Sequence, residues 1–116
     1  MKKTRLHVEG RDLGIDVFVT ETACERMRGL LGRDRLPRNE ALLLQRCGSV
    51  HTFGMRFCID VLLLDRDGRI VAIRHDLPRR RMAFSLRAVQ TLEMPSGAAR
   101  DHGLKRGDTL TFEATP

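Results

Sequence analysis

The sequence predicts a mainly β (α+β) fold: a compact antiparallel β-sandwich or barrel-like domain of six to seven strands, with short helices at about 22–31 and about 97–102. Three observations predict this fold. Short apolar segments, several with a period of two residues, are separated by turns rich in glycine and aspartate. These segments do not alternate with helices in the rhythm of a parallel sheet. A length of 116 residues without repeats or linkers fits a single domain, residues 1–116.

Two hairpins are the clearest local predictions. Apolar and polar residues alternate in segments 6–8 and 15–19, which predicts an antiparallel pair. The most apolar segment, 57–64, is followed by the turn Asp65–Arg69, in which Asp67-Gly68 tolerates the positive φ angles of a tight turn. Segment 69–75 should therefore return and pair with 57–64.

The two helices are predicted from their ends. The first begins with a capping box, in which the Thr22 hydroxyl and the Glu25 carboxylate satisfy free backbone N–H groups reciprocally. Gly32 is a typical residue after a helix end. The second helix should be capped by Ser96 and end before Gly103. The first helix carries one apolar stripe, formed by Ala23, Met27, Leu30 and Leu31.

The remaining strands are shorter and less strongly marked. Segment 41–44 is apolar throughout and predicts a buried strand, and segment 87–94 alternates as a half-buried strand does. Segment 109–113 predicts a last strand, and segment 75–85 should be irregular. If residues 57–64 alternate, Asp60 shares one face of its strand with Leu62.

The charge balance favours an acidic partner or a small anion over nucleic acid. The net charge is +6, and 18 of the 21 basic residues are arginine. The acidic residues are interspersed among them, so there is no continuous basic stripe of the kind that nucleic-acid binding requires. The chain has no Trp or Tyr to stack on bases. Nucleic acid is therefore not an expected partner.

The three cysteines predict neither a disulfide framework nor a metal centre. Their number is odd, their spacing is wide and no C-x-x-C occurs. Cys24 and Cys58 lie within apolar patterns and should behave as small buried hydrophobes. Cys47, His51 and Cys58 offer soft ligands, but without the closely spaced pairs of a structural zinc site. We expect no metal and no cofactor.

The chain is expected to be cytoplasmic and a monomer or weak dimer. No apolar segment follows Met1-Lys2-Lys3, so the sequence has no secretory leader pattern. It also has no run of apolar residues long enough to span a membrane. Edge strands of such a fold offer unpaired backbone groups for a weak dimer, although no residue specifies one.

The expected functional site lies in Val50–Asp65, where polar residues precede the most apolar strand. Asp60 is costly to bury without partners, so it is held either by a neighbouring side chain or by backbone amides. It is therefore either a structural carboxylate or a site residue. The leading hypothesis is a binding module whose pocket holds a small anionic ligand or an acidic partner segment. The expected ligand-binding residues are Arg28, His51, Thr52, Arg56 and Asp60.

Three alternatives remain open. The first is an enzyme in which His51 acts as acid or base beside Asp60, with Cys47 as a nucleophile, although the sequence around Cys47 resembles no nucleophile motif. The second is contact with nucleic acid or a protein partner through Arg79, Arg80 and Arg81. The third is a purely structural Val50–Asp65 segment, with function residing in a protein–protein surface.

Three blocks together resemble the prokaryotic family catalogued as domain of unknown function 192. They are residues 25–33 (ERMRGLLGR), residues 51–65 (HTFGMRFCIDVLLLD) and residues 97–108, which contain GAA and GLKRGD. The resemblance covers roughly residues 15–114 and implies a small, compact, β-rich domain. It supplies neither an activity nor a set of catalytic residues. Many members read F-W-M-K-N-T before I-P-L-D, whereas this chain has Cys58 where proline is usual.

Overall fold

The computed structural model describes residues 1–114, which form nine strands and two short helices. The mainly β prediction is confirmed. The elements in chain order are β1 (Lys2–Val8), β2 (Arg11–Val19), α1 (Ala23–Arg28), β3 (Glu40–Gln45), β4 (Ser49–His51), β5 (Ile59–Leu64), β6 (Ile70–Leu77), β7 (Met82–Phe84), β8 (Gln90–Pro95), α2 (Ala98–Asp101) and β9 (Leu110–Ala114).

Seven strands form one sheet in the order β6-β5-β8-β3-β2-β1-β9, and β4 pairs with β7 in a separate ribbon. The neighbours in the sheet are antiparallel except for β2 and β3, which are parallel because the connection through α1 carries the chain back to the same end. Both predicted hairpins are present. An isolated bridge between Arg69 and Thr109 brings the outer strands together, so the curled sheet is sandwich-like without being a closed barrel.

Two apolar clusters lie on opposite faces of the sheet. The first fills the inside of the curl and includes Leu62 and Leu64 from β5. The second lies between the other face, the α1 region and the β4–β7 ribbon, and it includes Val61 and Leu63. Every residue of β5 is buried, because both of its faces are covered. The predicted alternation of this strand is therefore correct, and neither face is in contact with water.

The predicted helices are correctly located but longer than the observed ones. The capping box of α1 forms, with Glu25 N–H donating to the Thr22 hydroxyl at 3.1 Å. Helix α1 ends at Arg28 because Gly29 leaves the helical region, at φ 49° and ψ −125°. The predicted apolar stripe is therefore wrong as a helical face: Met27 is 79% exposed, and Leu30 is buried only in the turn after the helix.

Three local predictions need correction. The ribbon strands β4 and β7 were not expected, because three residues are too few to show a period. Ser96 does not cap α2 but hydrogen-bonds to Asp76. Cys24 and Cys58 are exposed and do not contribute to an apolar core. Cys24 lies on α1, none of whose residues is buried, and Cys58 comes just before β5, where the chain is still at the surface.

Candidate functional site

Asp60 links two elements of the fold. It is fully buried on β5, its Oδ1 accepts the Asp76 backbone N–H at 2.8 Å, and its Oδ2 accepts the Ala99 backbone N–H at 3.0 Å. Ala99 lies in the first turn of α2, where backbone N–H groups lack helical partners, and the N-cap Gly97 has no side chain to supply one. Asp60 is therefore held by backbone amides and not by a neighbouring side chain.

Thr52 fixes the loop that carries the arginine run. Its buried hydroxyl donates to the Pro78 carbonyl at 2.6 Å and accepts the Arg81 N–H at 2.9 Å. Its backbone N–H also donates to the Arg81 carbonyl at 2.8 Å. Thr52 thus holds the backbone of residues 78–81 in place, while Arg79 and Arg80 remain exposed.

His51 and Arg56 point to different neighbours. The exposed His51 ring lies 5.8 Å from the Phe53 ring, between centroids. Arg56 donates to Asp34 at 2.6 Å. The Cys47 thiol donates to the Ser49 carbonyl at 2.9 Å. Within residues 1–114 no hydrogen bond joins His51 to Asp60 or to Cys47, so this structure does not form the acid–base arrangement considered from the sequence.

A pocket of about 260 Å³ lies between the end of α1 and strands β3, β4 and β8. Two of the five expected ligand-binding residues, Arg28 and His51, line it, as does Cys47. Thr52, Arg56 and Asp60 lie outside it, with the partners just described. The apolar part of the wall comes mainly from Leu30, Leu31, Leu44, Val50 and Met55, and the basic part from Arg26, Arg28, Arg46 and His51.

Glu93 is the pocket residue that sequence reasoning missed. It lies on β8 opposite Leu42 of β3 and Val61 of β5, and it is 3% exposed. Its Oε1 is buried and has no hydrogen-bond partner within residues 1–114. Burial raises the pKa of Glu93 to about 7. The available signal was a carboxylate between Leu92 and Met94, the same signal that singled out Asp60 in β5.

Gly29 lies beside the Glu93 carboxylate and adds no side chain to its surroundings. A Cβ atom at Gly29 would stand 3.7 Å from Glu93 Oε1, so the turn after α1 passes directly beside this oxygen. Because Gly29 has no side chain, it offers no side-chain donor to this oxygen. Glu93 is thus a buried member of the pocket lining whose Oε1 has no hydrogen-bond partner within residues 1–114.

The described residues contain no ready-made metal centre. Within residues 1–114 no three His, Cys, Asp or Glu side chains are grouped closely enough to hold a metal ion. Across the same part of the chain, no helix has the length and apolar character needed to cross a membrane.

The fold and the pocket define a small β-rich domain with an apolar-walled, basic-rimmed pocket beside a buried carboxylate. A family model, domain of unknown function 192 ("Uncharacterized ACR"), matches residues 4–112, and the chain belongs to this family. The expected membership is thus confirmed. A search of curated proteins finds no match.

Two solved structures share the fold. One, from Sinorhizobium meliloti 1021 and described as a "putative transcription regulator", has a TM-score of 0.83 and 21% identity, and the match covers 96% of this chain and 92% of the other. The second, a protein of unknown function from Novosphingobium aromaticivorans DSM 12444, has a TM-score of 0.81 and 17% identity, over 94% of this chain and 83% of the other. At these identities the likeness concerns the fold.

Proposed function

We propose that this domain is a binding module that holds a small anionic ligand in the pocket between α1 and strands β3, β4 and β8. The observation that supports the proposal is that three arginines without salt bridges line one apolar-walled pocket. Arg26, Arg28 and Arg46 line the pocket, and within residues 1–114 none of them forms a salt bridge. Within residues 1–114 only Arg5, Arg33, Arg38 and Arg56 pair with carboxylates, so it is the position of the three rim arginines around one apolar-walled pocket that sets them apart.

Unpaired guanidinium groups beside an apolar wall suit a ligand with one anionic end and an apolar body. Guanidinium binds carboxylate or phosphate through two parallel hydrogen bonds, which fixes the orientation of the anion. The apolar wall removes the rest of the ligand from water. The pocket volume of about 260 Å³ restricts the ligand to a small molecule or to one side chain of a partner.

Caproate, a short fatty acid anion, is a suitable probe because it has one carboxylate and an apolar tail. We expect it to shift amide NMR signals of pocket residues on titration. A variant carrying Arg28→Ala and Arg46→Ala should bind caproate about tenfold more weakly, since charge-assisted contacts at a partly exposed rim are each worth roughly 0.5–1 kcal/mol.

The matched control is a variant carrying Arg79→Ala and Arg80→Ala, which removes the same charge from an exposed loop outside the pocket. It should bind caproate as the wild type does. Equal weakening in both double variants would show that only net charge matters and would contradict a pocket site.

A second candidate, binding of an acidic partner segment, is supported by the loop that Thr52 fixes. Arg79, Arg80 and Arg81 are exposed on a backbone held by hydrogen bonds to Thr52, so their charge is displayed at low entropic cost. Binding of polyglutamate should weaken steeply as salt rises, and replacement of all three arginines by alanine should abolish the binding. Binding that does not depend on salt would exclude this candidate.

A further inference from the structure

Glu93 is a buried acid that has no hydrogen-bond or salt-bridge partner within residues 1–114. It is 3% exposed, and its Oε1 has no hydrogen-bond donor within residues 1–114. A buried carboxyl group without a partner costs several kcal/mol when it is charged and is kept only where something offsets that cost. Structural carboxylates in this chain look different, since Asp60, equally buried, has a backbone N–H on each oxygen.

Glu93 lines the pocket, and no cation within residues 1–114 forms a salt bridge with it. The titratable and charged side chains that share the pocket are Arg26 and Arg28 near the end of α1, Arg46 and Cys47 after β3, and His51 on β4. None of them is within salt-bridge distance of Glu93. Neighbouring strands contribute only apolar side chains opposite it, Leu42 and Val61.

The pocket therefore has opposite charges at its rim and at its buried wall. Its rim is basic, with Arg28 and Arg46 exposed to solvent, and its buried wall carries one acid. A ligand with a single anionic group would satisfy the rim and leave the Glu93 oxygen without a donor. A ligand that also carries a protonated amine would satisfy both, because an ammonium group supplies up to three N–H donors and the opposite charge.

We propose that Glu93 binds the ammonium group of a small ω-amino acid or similar amphipathic amine, whose apolar body lies along the pocket wall and whose anionic end meets the rim arginines. This inference rests on the proposed function and names its ligand class. Glu93 is then the residue that selects amine-bearing ligands over simple anions.

Three probes of equal chain length separate the contributions. ε-Aminocaproate carries both charges, caproate lacks the amine, and hexylamine lacks the carboxylate. Wild-type protein should bind ε-aminocaproate about tenfold more tightly than caproate, the effect of one charge-assisted contact in a shielded site. Glu93→Gln, which keeps the size of the side chain, should remove this preference and abolish hexylamine binding while leaving caproate binding unchanged or stronger.

The control variant is Glu9→Gln, at an exposed turn between β1 and β2, which should bind all three probes as the wild type does. A second measurement needs no variant. Because an ammonium ion favours the carboxylate form of Glu93, affinity for ε-aminocaproate should rise between about pH 5.5 and about pH 8, whereas affinity for caproate should not.

The outcomes distinguish the inference from the function on which it rests. If the Arg28→Ala and Arg46→Ala variant loses caproate but Glu93→Gln keeps the full preference for ε-aminocaproate, the amine contact is refuted and the anion site stands. If caproate binds equally to wild type and to the rim variant, the anion site fails. Hexylamine binding that survives in Glu93→Gln also overturns the inference, because no other acid lines the pocket within residues 1–114.

Discussion

Replacing Glu93 by glutamine should make the protein more stable at alkaline pH and leave it nearly unchanged at acidic pH. The reason is the difference in pKa between the folded and unfolded chains. Burial raises the pKa of Glu93 from its ordinary 4.5 to about 7. At low pH the side chain is neutral in both states. As pH rises the unfolded chain ionises first, so the free energy of unfolding falls until the folded form also ionises, near the raised pKa.

The magnitude follows from the size of the shift. Each pKa unit is worth about 1.4 kcal/mol, so a difference of roughly 2.5 units gives a full penalty of about 3 kcal/mol. Between about pH 5 and about pH 8.5, the free energy of unfolding of wild type should fall by about 2.5 kcal/mol relative to that of Glu93→Gln. Urea unfolding followed by circular dichroism at several pH values, without ligand, measures both proteins.

The control is again Glu9→Gln, whose exposed side chain should leave the pH dependence of wild type unchanged. If wild type and Glu93→Gln show parallel curves of unfolding free energy against pH, the carboxylate is not held in an unfavourable environment. In that case Glu93 has a partner that offsets its burial, and the reasoning about its unsatisfied oxygen is refuted.

Three further predictions concern stability. Asp60→Ala should lower the free energy of unfolding by about 3 kcal/mol, because the part-buried amide of Asp76 and the buried amide of Ala99 lose their acceptor. Asp60→Asn should lose less because it keeps an acceptor, and denaturant midpoints of the two variants test the difference. Gly68→Ala should lower the free energy of unfolding by at least about 2 kcal/mol more than Gly14→Ala. Both glycines have positive φ, but only at Gly68 would a Cβ atom meet backbone, at 2.3 Å from the Leu110 carbonyl oxygen. Equal losses of stability in melting experiments would contradict this. Thr52→Val should lower the free energy of unfolding by about 1–2 kcal/mol, because the valine cannot form the hydroxyl hydrogen bonds to the loop at 78–81. Tryptic cleavage in that loop should become faster. Unchanged cleavage would show that Thr52 does not fix the loop.

The parts of the fold that follow from local chemistry could be predicted from the sequence. The hairpin around Asp65–Arg69 and the capping box of Thr22 and Glu25 depend on residues close together in the chain, and both are present. The ribbon of β4 and β7 depends on pairing between segments far apart, such as Val50 with Ala83, which no periodicity reveals. The parallel pairing of β2 with β3 is likewise a consequence of where the chain crosses over.

Only part of the candidate site could be predicted from the sequence, because the partners of a buried carboxylate come from segments far apart in the chain. Polar residues near the apolar strand at 57–64 directed attention to Asp60, and the sequence left two kinds of partner open for it. Which kind it has depends on α2, which lies 39 residues further along the chain at Ala99. Glu93 carries the same sequence signal as Asp60, a carboxylate within an apolar strand, but tertiary structure gives it no amide. Only the three-dimensional arrangement separates a satisfied carboxylate from an unsatisfied one.

The hydrogen bonds of Asp60 also bear on how β5 avoids slippage. Its sequence, Ile59-Asp60-Val61-Leu62-Leu63-Leu64, is apolar on both faces, so the hydrophobic effect hardly distinguishes the native alignment against β8 from one shifted by a single residue. A shift by one would turn the carboxylate away from the amides of Asp76 and Ala99 and into the apolar cluster on the other face. A charge buried there without partners would cost several kcal/mol. A single acidic residue thus excludes the misaligned strand that its five apolar neighbours would tolerate.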